Sequence, residues 1–269
     1  MTRVLSAVLL LPVVFLLTRH LPPLAFLALV AAVAVIAALE YSGLVARRGF
    51  AVSPLAAAAG TLVLVVGAFD ARVGLAPAVA LVVVALPIAA LARPEAPPEK
   101  FGNLALLIAG VTLLGVPLGH LAGLRVIETG QGHDLPFLLL LVVWSSDTGA
   151  YYGGRLLGRR RLAPQLSPAK TVEGFVVGVV AAIAAAFLAR VWFMHRLAIA
   201  DCLLLAPLLA AVGAAGDLIE SALKRWTGAK DSSGLIPGHG GMLDRIDSLL
   251  LAAPVLFYYH RYFMTVAQR

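Results

Sequence analysis

The chain has 269 residues, 61% of them hydrophobic and 13% charged, with a mean hydropathy of +0.96 and a formal charge of +7. Water would not tolerate that much apolar surface on a domain of this length, so the composition excludes a soluble globular protein and predicts an all-α polytopic integral membrane protein. Cys202 is the only cysteine, which excludes an intramolecular disulfide and a thiolate zinc cluster and leaves it as a small buried apolar residue.

Apolar runs able to cross a bilayer, at roughly 17 to 25 residues each, are predicted at 4–18, 22–39, 54–69, 73–92, 101–122, 135–157, 173–193, 199–224 and 244–263. The first resembles a signal peptide in having Arg3 before its apolar core. Arg19, His20 and two prolines stand where a small-residue cleavage site belongs, so it is read as a retained helix. About nine spans place the loops around 47, 93–100, 158–172 and 225–243 on the side of the N-terminus. That side receives Arg3, Arg47, Arg48, Arg93, Lys100, Arg155, Arg159, Arg160, Arg161, Lys170, Lys224, Arg225, Lys230 and Arg245, including every lysine. By the positive-inside rule it is the cytoplasm. Basic charge gathered there faces anionic headgroups and cytosolic polyanions; it does not call for nucleic acid and leaves a nucleotide ligand open.

Residues 1–134 show no repeat and no chemistry, and are expected to form an N-terminal transmembrane region that faces lipid, braces the fold or dimerises. Glu40 at a helix end, Asp70 with Arg72, and the RPEAPPEK loop at 93–100 read as interfacial anchors or solvated connectors. Glu40 and the loop at 41–50 are also candidates for a lipid entrance. Residues 135–269 are expected to form a catalytic region facing the cytoplasm. Polarity first concentrates at 144–174, where Asp147 follows a strongly apolar stretch and must be answered by a cation or a lysine, or simply pair with Arg155 two helical turns on.

Asp217, Glu220, Ser221 and Lys224 recur at i, i+3, i+4, i+7 and share one helix face, with Arg225 beside them. Asp244, Asp247 and Ser248 repeat the i, i+3, i+4 spacing at the start of the next helix, and the connection between is short enough for the two faces to meet. An oxygen-only acidic cluster with His239 nearby favours a hard cation such as magnesium, and magnesium usually accompanies phosphate. Lys224, Arg225, Lys230 and Arg245 supply charge for a polyphosphate. Gly234, Gly238, Gly240 and Gly241 would let backbone N–H groups approach phosphate oxygens, without a Walker A pattern. Interhelical Asp–Lys pairs and turn glycines explain any one of these residues, but not the whole group.

Ser221, Lys224, Arg225, Lys230, Asp231, Ser233, Ile236, Pro237, His239, Gly240, Gly241, Met242, Asp244, Arg245, Ile246 and Asp247 together resemble the signature of the phosphatidate cytidylyltransferases, or CDP-diacylglycerol synthases. Asp147-Thr148, Ala150-Tyr151, Gly154-Arg155, Gly158, Ser167-Pro168, Lys170-Thr171 and Glu173-Gly174 are similar to that family in the same order, so the resemblance covers about residues 140–250. It implies that CTP and phosphatidic acid react to CDP-diacylglycerol and pyrophosphate, in a nine-helix enzyme of the bacterial inner membrane, usually a homodimer. It also implies a catalytic magnesium ion on Asp217 and Asp244, with potassium a candidate second ion.

On that reading Asp147, Glu220, Asp231, Asp247 and Ser248 support or position the centre, and Lys224 and Lys230 stabilise the developing charge. Lys170 and Arg245 clamp phosphate, with Ser167, Ser221 and Arg225 as further phosphate or substrate contacts. A phosphate monoester is already mostly deprotonated at neutral pH, so His239 is not needed as a base; with Gly240 and Gly241 it shapes the loop or binds phosphate. Two other classes compete with this reading. A CTP-dependent polyprenol or phytol kinase would transfer the γ-phosphoryl group, and a secondary transporter would place its acids near the midplane of repeated halves, unlike this chain.

Overall fold

The computed structural model describes residues 16–20, 22–92, 94, 96–127, 133–233 and 240–264. Most of the first predicted span lies outside them, and 16–20 are helical. Helices follow at Pro23–Ala46 (α1), Pro54–Phe69 (α2), Leu75–Leu91 (α3), Pro97–Leu124 (α4) and Leu135–Leu157 (α5). A two-stranded antiparallel hairpin, Arg161–Ala163 (β1) and Ser167–Thr171 (β2), leads into Val172–Trp192 (α6), Ile199–Thr227 (α7) and Leu243–Tyr259 (α8), which closes in a π-helical turn at His260–Met264. Four of these helices, α1, α4, α6 and α7, are long and apolar enough to cross a membrane, and α2 and α3 are shorter apolar helices.

The boundaries follow local chemistry. Prolines open α1, α2, α4 and α5, where a missing N–H costs nothing. Ser53 caps α2 by accepting from the Ala56 amide at 3.3 Å, and Thr171 caps α6 through the Gly174 amide at 3.1 Å. Gly228 ends α7 in the left-handed conformation at φ +70, with the Ala229 amide bonded back to the Lys224 carbonyl. Asp70 forms the solvated turn expected of it, accepting from the Arg72 amide at 2.8 Å. Cys202 is fully buried.

Helices α5 and α6 are pressed together along a seam of small residues, Gly149, Gly153, Gly174 and Gly178, each four apart in its own helix. A Cβ on Gly174 would stand 2.7 Å from the Ala150 carbonyl oxygen, and one on Gly178 would stand 2.8 Å from that of Ser146. The α7–α8 crossing has the same device, with Gly213 and Gly216 against the backbone of Asp247 and Ser248. Gly174→Val therefore forces α5 and α6 apart and should sharply lower the folded yield and the melting temperature in detergent. Gly43→Ala is the control, because nothing lies within 4 Å of its Cβ position, and Ala in a helix interior is worth about 0.8–1 kcal/mol over Gly.

Contacts sort by end, as alternating up-and-down helices require. At one end Arg48 donates to the Trp226 carbonyl and Arg225 to that of Leu166. At the other, Arg19 pairs with Asp134 at 3.3 Å, Arg125 reaches His133 at 2.7 Å, and Tyr259 donates to Asp201 at 3.0 Å. Burial holds the Asp134 carboxyl above the ordinary carboxylate range despite the Arg19 guanidinium. Helix α8 packs against α7, α4, α5 and α1, so the two halves of the chain share one core.

Two expectations need correcting. The 158–172 segment is a hairpin instead of a plain basic loop; its three-residue strand is too short to show a period, and Pro164-Gln165 was its only turn signal. Glu40 is neither at a helix end nor an interfacial anchor. Helix α1 runs on to Ala46, and Glu40 is buried within it at 8% exposure.

Candidate active site

Helix α7 carries the polar stripe as its spacing predicts. Ser221 Oγ donates to Asp217 Oδ1 at 3.3 Å, and Lys224 Nζ stands 2.5 Å from Glu220 Oε2. Each acid here is answered by a lysine. Lys170, brought in by β2, lies 2.6 Å from Asp217 Oδ2, and Lys224 lies 2.6 Å from Asp244 Oδ1 on α8. The backbones of Asp217 and Lys224 are about 10 Å apart along the axis of α7, but the lysine reaches back one turn to Glu220, so the two ion-paired nodes lie closer together than that.

The first node is the more open. Asp217 is 31% exposed, and Asp147 and Asp247 share its electrostatic field with Lys170 as their common cation. Asp147 is reached by solvent. Lys170 is the cation whose charge acts on it. The close approach of Gly216 to the Asp247 backbone sets Asp217 and Asp247 side by side.

The second node is half-buried and more fully hydrogen-bonded. Asp244 Oδ2 accepts from the Ser232 amide at 2.9 Å, the Ser232 hydroxyl at 2.7 Å and the Gly241 amide at 2.8 Å, while Oδ1 holds Lys224. Gly240 supplies the turn at φ +73. The Gly241 amide is therefore committed to Asp244 instead of being free for phosphate. Glu220 is buried at 4% exposure beside an apolar cleft lined by Tyr41, Leu114, Leu223 and Leu250. Neither of its oxygens makes a hydrogen bond of good geometry among the described residues, so Lys224 is what answers its charge.

Four carboxylate contacts of a different origin close this node. Glu40 Oε1 accepts from Ser233 Oγ at 2.6 Å and the Met242 amide at 2.9 Å; Oε2 accepts from Ser232 Oγ at 3.0 Å and the Leu243 amide at 2.8 Å. A carboxylate at the first turn of α8 sits where the exposed amides and the helix dipole favour negative charge. Sequence reasoning missed this role and missed Ser232. The available signal was one acid in an otherwise apolar helix.

The remaining expected residues sort plainly. Lys230, Asp231 and Arg245 are exposed around the second node, and Ser167 lies in the hairpin, paired in register with Ala163. Arg225 turns to the hairpin at Leu166. His239, with Gly234 and Gly238, lies outside the described residues. Among the described residues no three His, Cys, Asp or Glu side chains are grouped closely enough to enclose a metal ion by themselves. Magnesium does not require such a cage, because it keeps waters and takes one or two carboxylates plus substrate phosphates. The oxygen-only set of Asp217 and Asp244 fits that mode.

Paired lysines and carboxylates on α7 and on the strand and helix beside it are what a metal-bound polyphosphate can exchange into, with lysine turning to phosphate and carboxylate to cation. Comparison with known proteins points the same way. The chain is similar to a phosphatidate cytidylyltransferase of Bacillus subtilis (strain 168), 45% identical over 122 residues that cover 45% of each chain. It is also similar to one of Haemophilus influenzae, 42% identical over 165 residues, covering 58% of this chain and 57% of that protein. A third relative is the uncharacterized protein YnbB of Escherichia coli (strain K12), 43% identical over 148 residues, covering 54% and 49%. The chain thus spans about half the length of the curated relatives it matches. The model of the cytidylyltransferase family matches residues 1–263, and the chain belongs to that family.

Proposed function

We propose that this chain is a phosphatidate cytidylyltransferase, which joins CTP to phosphatidic acid and releases diphosphate. The observation that carries the reading is the pair of lysine–carboxylate nodes, Lys170–Asp217 and Lys224–Asp244, set on one helix and its two neighbours. A phosphate oxygen of phosphatidate attacks the α-phosphorus of CTP, a new P–O bond forms, and the bond to the β-phosphate oxygen breaks with its electron pair leaving on diphosphate. The nucleophile is already deprotonated near neutral pH, so the protein need not supply a strong base.

Repulsion between two anions is the main barrier. Lys170 and Lys224 meet it by exchanging their carboxylate partners for phosphate oxygens, while Lys230 and Arg245 stand exposed at the rim to receive the triphosphate. Asp217 and Asp244 would hold magnesium, with potassium as a candidate companion; bound there, the ion would supply Lewis-acid stabilisation of charge on the phosphates. Asp147 and Asp247 draw Lys170 to the first node through the charge they share with it, and the Ser248 amide holds Asp247 Oδ1 at 2.6 Å.

The protein is further proposed to be a multi-pass protein of a bacterial inner membrane with about nine spans, the N-terminus and both nodes facing the cytoplasm. The four long apolar helices and the basic residues gathered at the end that holds the nodes support this. A homodimer follows from the resemblance. The test is chromatography of products from purified protein given labelled CTP, phosphatidate and magnesium. CDP-diacylglycerol is the expected product; a phosphorylated alcohol with CDP would make the protein a lipid kinase, and no product would overturn the reading.

A further inference from the structure

We propose that Glu40 is a positioning residue for the cytidylyl transfer, holding Ser232 and the first turn of α8 so that Asp244 keeps its place beside Lys224. The inference rests on the reaction proposed above. Glu40 comes from α1, 192 to 203 positions away in sequence, yet its two oxygens accept from Ser232 and Ser233 on one side and from Met242 and Leu243 on the other. Gly241 is packed directly on the carboxylate. A Cβ there would meet both Glu40 oxygens at 2.6 Å, so the turn closes on Glu40 only because position 241 has no side chain.

Ser232 links this latch to the catalytic acid. Its hydroxyl lies 2.7 Å from Asp244 Oδ2 and 3.0 Å from Glu40 Oε2, and it has one proton to give. When that proton goes to Glu40, Ser232 stays in place and Asp244 loses one of its four donors. Asp244 can therefore change partners without the turn around it coming apart, which is what a carboxylate that trades a lysine for another ligand requires. A group acting only on fold stability would need none of this contact with Asp244.

The test uses the full-length protein in detergent or vesicles. Glu40→Gln replaces an acceptor oxygen with an NH₂ group that faces donors. Expected results are a kcat for CDP-diacylglycerol formation lowered about tenfold or more, KM values for CTP and phosphatidate within about threefold, and a melting temperature within a few degrees of wild type. Hydrogen exchange at the Met242 and Leu243 amides should quicken, while the rest of α8 keeps its protection. An unchanged kcat despite faster exchange overturns the positioning role, and unchanged exchange overturns the contact itself.

If Glu40→Gln does not fold, Ser233→Ala decides. Removing one donor to Oε1 should lower kcat about threefold with the melting temperature kept, and no loss refutes the proposal. Wild-type protein that forms no CDP-lipid overturns the functional reading and the positioning role with it. The exchange arm separates that failure from a failure of the Glu40 contact, because it needs no substrate.

Discussion

Asp244→Ala should lower CDP-diacylglycerol formation by about 10³-fold or more while leaving a folded membrane protein. Asp244 is where the second node is tied together: one oxygen holds Lys224, and the other gathers the Ser232 amide, the Ser232 hydroxyl and the Gly241 amide. Truncation removes the proposed metal ligand and the group that fixes the lysine and the turn. Asp217→Ala should be as damaging to turnover through the first node, because Lys170 loses its partner and the other proposed metal ligand is gone. The check is magnesium-dependent incorporation of labelled CTP into lipid by purified variants. Near wild-type activity in either one would sink the metal assignment to Asp217 and Asp244.

Lys224→Ala should damage stability as well as catalysis. Glu220 is buried and has this lysine as its counter-charge, and Lys224 also bridges to Asp244. Taking one partner from a buried ion pair costs about 3–5 kcal/mol, because the stranded charge stays out of water. The melting temperature in detergent should fall clearly. Adding Glu220→Gln should restore a good part of that stability without restoring turnover, since a neutral amide needs no cation and the phosphate partner is still missing. Full recovery of activity in the double variant would show that Lys224 serves only to neutralise Glu220. An unchanged melting temperature in Lys224→Ala would remove the structural half of the argument.

Helix positions were legible in the chain because apolar run length speaks for itself when the solvent is lipid. The predicted spans from 54–69 onward differ from the observed helices by a few residues at most. The polar face of α7 was equally legible: i, i+4 neighbours within a helix meet whatever the rest of the fold does, and both Asp217–Ser221 and Glu220–Lys224 do so. The hairpin was not, because β1 is three residues long and its pairing slips out of register at Arg161 and Ala163. Nor was the length of α1. A run that ends at an acid looks finished, unless the acid has donors waiting from another helix.

Composition, run length and the charged motif by themselves determined a helical membrane protein, the end where the paired acids and lysines gather, and the residue types available there. These are local properties, set by spacing along one chain and the cost of placing charge in oil. Which acid meets which base was decided only in the tertiary structure. Asp217 takes Lys170 because the hairpin folds over α7, Asp244 takes Lys224 because α7 and α8 cross at glycines, and Glu40 reaches Ser232, Ser233 and the start of α8 because α1 packs beside them. Those partners are tens to hundreds of residues apart, and close packing at a few positions without side chains brings them together.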